Sequence, residues 1–154
     1  VVACIFFLIR MNNITVVKPA TLPFHMPDTV EAWHIRGALF FGSISKLEHV
    51  TDPHRLMAAN SAKIVILDFT DLVNIDNSAM DQIEVFVRAL HRHHHELIIA
   101  GATGHPLRQL ERTGIAQALG PNLVPDMEFA MARADIVLAE LAEEEKKDKA
   151  VLQA

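Results

Sequence analysis

Apolar and polar positions follow different periods along this chain. Val1–Ile9 is an unbroken apolar run closed by Arg10. It is too short to cross a bilayer alone, which takes about 20 residues. Its order, apolar and then cationic, fits the cytoplasmic end of a membrane helix, the alternative being an edge strand or a buried N-terminal segment. Pro19, Pro23 and Pro27 then recur every four residues, which predicts an extended connector and a domain beginning near Thr29. Val30–Ile35 and Ala38–Phe41 read as short strands around a hairpin or bulge at Gly37. Ile44, Leu47 and Val50, with Ser45 and Glu48 spaced as a capping box, predict a short helix ending at Asp52-Pro53. A second helical stretch is expected over His54–Ala62.

Ile64–Leu67 is a continuous β-branched-rich run, expected of a central strand covered on both faces and paired in parallel. Val73–Ile75 lead to Asp76-Asn77-Ser78, a cluster of helix N-cap formers. Met80, Ile83, Val87 and Leu90 then repeat at helical spacing, out to about His95. Leu97–Ala100 is another short strand, and His105-Pro106 opens a helix interrupted at Gly114 and ended by Gly120-Pro121. Leu123-Val124 is a candidate strand. Asp126 is placed to cap a last helix with Ala130, Ala134, Val137 or Leu138, and Leu141 on its apolar face. The tail Glu143–Lys149 alternates charge blocks, with Glu143–Lys147 and Glu145–Lys149 expected as ion pairs. Alternation of strands and helices argues an α/β layer fold.

Composition narrows the function. The 154 residues are 51% hydrophobic, enough for a real core. The net charge of −5 supplies no basic excess for a nucleic acid. A single cysteine, Cys4, allows no internal disulfide framework. No nucleophile elbow, phosphate loop or dinucleotide fingerprint is present. His91, Arg92, His93, His94 and His95 form a basic run in which His91 and His95 are spaced as a zinc pair, which keeps a metal enzyme as a rival reading. Gly101-x-x-Gly104, between a strand and a helix, reads as a tight turn with anion binding as the rival.

The stretch Asp76-Asn77-Ser78-Ala79, delivered by a buried strand to the start of an amphipathic helix, resembles the STAS domain of sulfate transporters and anti-sigma-factor antagonists. Asp76 matches that family's Asp-Ser/Thr-Ser/Thr-Gly pattern, and Ser78 falls on the position phosphorylated in antagonists, while Asn77 and Ala79 depart from it. Ile35–Gly42 looks like the hairpin of the transporter branch. Leu97–Ala102 with Pro106, Leu107, Arg108, Leu110 and Gly114 looks like the later strand and helix. The resemblance covers Thr29–Glu140.

It implies a mixed β-sheet of four to five strands with amphipathic helices packed mainly on one face. It divides the chain into a membrane-helix end (1–10), a linker (11–28), a STAS domain (29–142) and a charged tail (143–154). The function implied is regulatory and non-enzymatic. The chain would be the cytoplasmic domain of a SulP-type secondary anion transporter at the inner membrane, the alternative being a free-standing antagonist switched by serine phosphorylation. Asp76, Asn77 and Ser78 would form the regulatory loop, and Asp81 and Gln82 a partner-facing helix start. The resemblance implies no cofactor and no metal. The partners implied are the transporter's membrane portion, a second copy and a soluble regulatory protein. Ser78 is expected to be exposed, its hydroxyl capping the helix or facing solvent.

Overall fold

The computed structural model describes residues 2–6, 15–56, 58 and 62–153. Residues 2–6 are helical and exposed, with Val2, Ile5 and Phe6 at the surface. The rest of the expected membrane-helix end lies outside the described residues, as do residues 57 and 59–61 of the His54–Ala62 stretch, whose first residues, 54–56, are helical.

Among the described residues, six strands form one sheet. They are β1 (Val16–Pro19), β2 (Val30–Leu39), β3 (Ile64–Asp68), β4 (Leu72–Ile75), β5 (Glu96–Ala100) and β6 (Leu123–Val124). The order is β1-β2-β3-β5-β6, with β4 paired to β2 beyond the end of β3. Only β1 runs antiparallel. The count exceeds the expected four to five because a strand lies within the proline-spaced stretch. Val16–Pro19 pairs along β2, and its proline falls on the sheet's edge, where a missing N–H costs no ladder bond. The two runs around Gly37 are one strand. Gly37 takes φ 91° and the register shifts there, so the structure has the bulge and not the hairpin.

The helices are α1 (Ile44–Thr51), α2 (Pro53–Leu56), α3 (Asn77–Arg92), α4 (Gly104–Arg112), α5 (Ile115–Leu119) and α6 (Met127–Leu152). α1 has no capping box. Ser45 lies inside the helix, and Ser43, at the cap position, spends its hydroxyl on Phe40 N–H and C=O instead.

β3 shows why the apolar run has no gaps. Val65 and Leu67 face α1, α3, α4 and α5, while Ile64 and Ile66 face α6 across Ala130, Ala134 and Val137. With both faces covered, no position on the strand is left for a polar residue until Asp68. Most helices share one face, as expected, and α6 closes the other. Past Leu141, α6 outruns the sheet and its residues are exposed. The expected tail pairs are replaced. Glu145 reaches Lys63 at the start of β3, and Glu143 pairs with Lys146 at 3.4 Å. Glu145 thus bonds to Lys63 at the start of the sheet, with Lys149 of its own helix acting on it only at longer range.

Candidate functional site

The loop between β4 and α3 carries the three residues singled out in the sequence. Asp76 has extended backbone (φ −90°, ψ 173°) and caps α3, its Oδ1 accepting Ala79 N–H at 2.9 Å. Its Oδ2 accepts Phe41 N–H, also at 2.9 Å. One carboxylate therefore starts the helix and holds the turn after β2 beside it. It also presents Phe41, 79% exposed, at the mouth of the site. A carboxylate here is further favoured by the helix dipole.

Asn77 is exposed and accepts from Arg112 Nη2 at 2.8 Å, which ties the loop to the end of α4. Arg112 also donates to Gln109 Oε1, and Gln109 Nε2 lies 3.1 Å from His105 Nε2. His105 Nδ1 in turn accepts Ile75 N–H at 3.4 Å. The loop is braced at both ends by α4.

Ser78 is half-buried on the first turn of α3, and among the described residues its hydroxyl makes no hydrogen bond. Ser78 is thus neither the cap nor fully exposed, because Asp76 already occupies the cap and turns the backbone helical before Ser78. Asp81 is exposed one turn later. Gln82 is half-buried and donates to Thr51 Oγ1 at 2.9 Å, joining α1 to α3 at the side of a surface cleft. The structure brings Asp76, Asn77, Ser78 and Asp81 onto one surface and adds Phe41. Gln82 lies to the side, toward α1.

A second polar cluster steadies the turn from β3 to β4. Asp68 Oδ1 accepts Thr70 N–H at 3.0 Å and Thr70 Oγ1 at 2.5 Å, and Oδ2 lies 2.9 Å from His34 Nδ1. Burial alone would raise the Asp68 pKa, but these bonds and the His34 charge outweigh it and hold it below the usual carboxylate value. Gly101 fits against this turn because it has no side chain. A Cβ there would stand 2.4 Å from Thr70 Oγ1 and 3.0 Å from Thr70 Cα, and φ is 73°. Gly101 therefore serves a tight approach. A carboxylate whose folded-state pKa is lowered stabilises the fold above its unfolded value of about 4, and that contribution is lost as pH falls through the folded value. The thermal midpoint is expected to drop between pH 6 and pH 3, and Asp68→Asn should flatten the drop. Parallel midpoint curves for the two proteins would show that Asp68 contributes no acid sensitivity.

The basic run does not assemble a metal site. α3 ends at Arg92, and His94 takes φ 57°, so His91 and His95 do not share a helical face. Among the described residues, no three His, Cys, Asp or Glu side chains are grouped to hold a metal. His95 is turned toward Lys63 and the other histidines, and burial, followed by repulsion from these neighbours, lowers its pKa.

A family model described as the STAS domain matches residues 27–130. The chain belongs to the STAS domain family. A putative sulfate transporter, YvdB of Bacillus subtilis, is 29% identical over 122 residues, covering 77% of this chain and 22% of that protein. The STAS chain therefore spans about a fifth of that relative's length. A sulfate transporter family protein from Wolinella succinogenes has the same fold, with TM-score 0.64 and 24% identity over 78% of this chain and 93% of that one. An anti-sigma factor antagonist from Mycobacterium paratuberculosis shares it too, with TM-score 0.61 and 13% identity over 77% and 93%. The STAS fold is common to both groups, and the sequence link runs to the transporter side. No helix of the described residues is long and apolar enough to cross a membrane.

Proposed function

We propose that this STAS domain is the regulatory and interaction module of a SulP-type secondary anion transporter, held on the cytoplasmic side of the inner membrane. The observation that carries this reading is the sequence relationship to YvdB across most of the domain. The site chemistry supports it. The surface of Phe41, Asp76, Asn77, Ser78 and Asp81 combines an exposed aromatic with polar groups around a braced helix start. The exposed aromatic is a residue type enriched at protein contacts. The module works by binding and carries no catalytic step. Its primary partner is the membrane portion of the same transporter, and a second copy and a soluble regulator are further partners of the same kind.

Fractionation of the source cells tests the reading. An antibody to the domain should detect a polypeptide several times larger than 17.1 kDa, in the membrane fraction and resistant to salt washing. A soluble species near 17.1 kDa, phosphorylated on Ser78, would overturn it in favour of a free-standing antagonist.

Ser78 supplies a separate prediction. Because its hydroxyl bonds to nothing described, Ser78→Ala should change stability by less than about 0.5 kcal/mol. Ser78→Glu should fold as well, since a negative charge on the first turn is favourable. In the membrane protein that carries the domain, Ser78→Glu should alter anion uptake without lowering its amount. Unchanged uptake in both variants removes Ser78 from the regulatory surface.

A further inference from the structure

The second half of α3 carries a surface unlike the rest of this acidic protein. Between α3 and α5 lies a groove of about 650 Å³ lined by Val85, Val87, Arg88, His91, Arg92 and Ala118. Its floor is apolar, and Val85 is 57% exposed there. Its rim carries basic residue types. Arg88 is bonded to Glu84 one turn back, while among the described residues neither His91 nor Arg92 has an ion pair. These groups stand out from a net charge of −5.

The same end of α3 already meets an acidic helix within the molecule. His93, His94 and His95, with Lys63, line a cavity of about 240 Å³ whose other wall is Glu144, Glu145 and Asp148 of α6. Lys63 and Glu145 form the ion pair that closes it. His93–His95 and Lys63 therefore stand across a cavity from acidic side chains, while the adjoining groove sets Arg88, His91 and Arg92 beside exposed apolar surface. Concavity adds a shape criterion. A groove takes a ridge of side chains spaced i, i+3, i+4 and i+7, whereas a lipid surface is flat.

We propose that the α3–α5 groove docks an acidic amphipathic helix of a partner protein, its apolar ridge on Val85 and Ala118 and its carboxylates on Arg88, His91 and Arg92. The inference rests on the reading above only in treating the domain as an interaction module. It concerns a face separate from the Asp76–Ser78 loop and does not depend on a membrane location.

The test uses the chain itself, isotope-labelled, titrated with two synthetic helices. Both carry leucine at the ridge positions; one has glutamate elsewhere and the other lysine. The glutamate helix should bind at least ~10-fold tighter, a difference of about 1.4 kcal/mol. Amide shifts should centre on Val85–Arg92 and Ile115–Leu119. Arg92→Glu should weaken binding ~10-fold with the thermal midpoint unchanged, and Arg92→Lys should restore most of it. Equal affinity for both helices, or shifts centred elsewhere, would overturn the proposal. So would groove shifts produced only by phosphatidylglycerol vesicles, or only by self-association at high protein concentration. Because the readout is binding to the isolated chain, a soluble chain in the fractionation experiment would leave this result standing.

Discussion

Ile66→Asp is expected to abolish cooperative folding. Ile66 is fully buried at the centre of β3, with Ala32 of β2 and Ile98 of β5 beside it in parallel register. The layer above is Ala130, Ala134 and Val137 of α6. All of these neighbours are apolar, so an aspartate there would have neither a cation nor a hydrogen-bond donor on its side chain. An uncompensated buried charge costs several kcal/mol, against a total stability of about 5–15 kcal/mol for a typical domain. Protonation of the new carboxyl would relieve part of this and leave an unsatisfied polar group in its place. Ile66→Val is the control: it removes one methylene and should cost about 0.5–1.5 kcal/mol with cooperativity intact. Urea unfolding followed by circular dichroism reads both. An Ile66→Asp protein with a sharp transition near the wild-type midpoint would mean that β3 is not the covered centre of the sheet.

That strand was the most legible part of the sequence. An apolar run without alternation needs cover on both faces, and few arrangements besides a parallel strand between two helix layers provide it. The α3 spacing was legible for the same reason, since Met80, Ile83, Val87 and Leu90 all sit in the core. β1 was hidden because its proline and polar neighbours read as a connector. Only the pairing with β2, from Val16 with Arg36 to Pro19 with Trp33, makes it a strand. The tail pairs failed similarly. Local i,i+4 spacing is visible in a sequence, but Lys63, 82 positions before Glu145, is not.

The candidate site divides along the same line. Asp76-Asn77-Ser78 announces a helix start, yet any of the three could serve as the cap. The choice of Asp76 follows from where the backbone becomes helical. The bonds from Asp76 to Phe41 and from Arg112 to Asn77 each span 35 positions, so no local pattern carries them. Gln82 shows the same limit: its place near the helix start is local, but its bond to Thr51 spans 31 positions.

Replacing Asp76 should have the largest effect of any change at the site, because its two oxygens do separate jobs. Asp76→Ala removes the α3 cap, worth about 0.5–2 kcal/mol. It also removes a hydrogen bond to a charged acceptor, worth about 1.5–3 kcal/mol. The combined loss expected is about 2–5 kcal/mol, within what a domain of ordinary stability withstands. Asp76→Asn separates the two jobs. Asparagine caps helices as well as aspartate, so Oδ1 can still take Ala79 N–H, but an amide NH₂ in place of Oδ2 cannot accept from Phe41 N–H. Asp76→Asn should therefore keep the cap and lose the Phe41 bond together with the smaller charge–dipole contribution. In hydrogen exchange the Phe41 amide should lose protection in both variants and the Ala79 amide only in Asp76→Ala. If the exposed Phe41 ring contributes to partner binding, Asp76→Asn should weaken that binding while α3 stays capped. Equal destabilisation by the two variants, or an unchanged Phe41 amide in Asp76→Asn, would show that the aromatic turn is held by something other than this carboxylate.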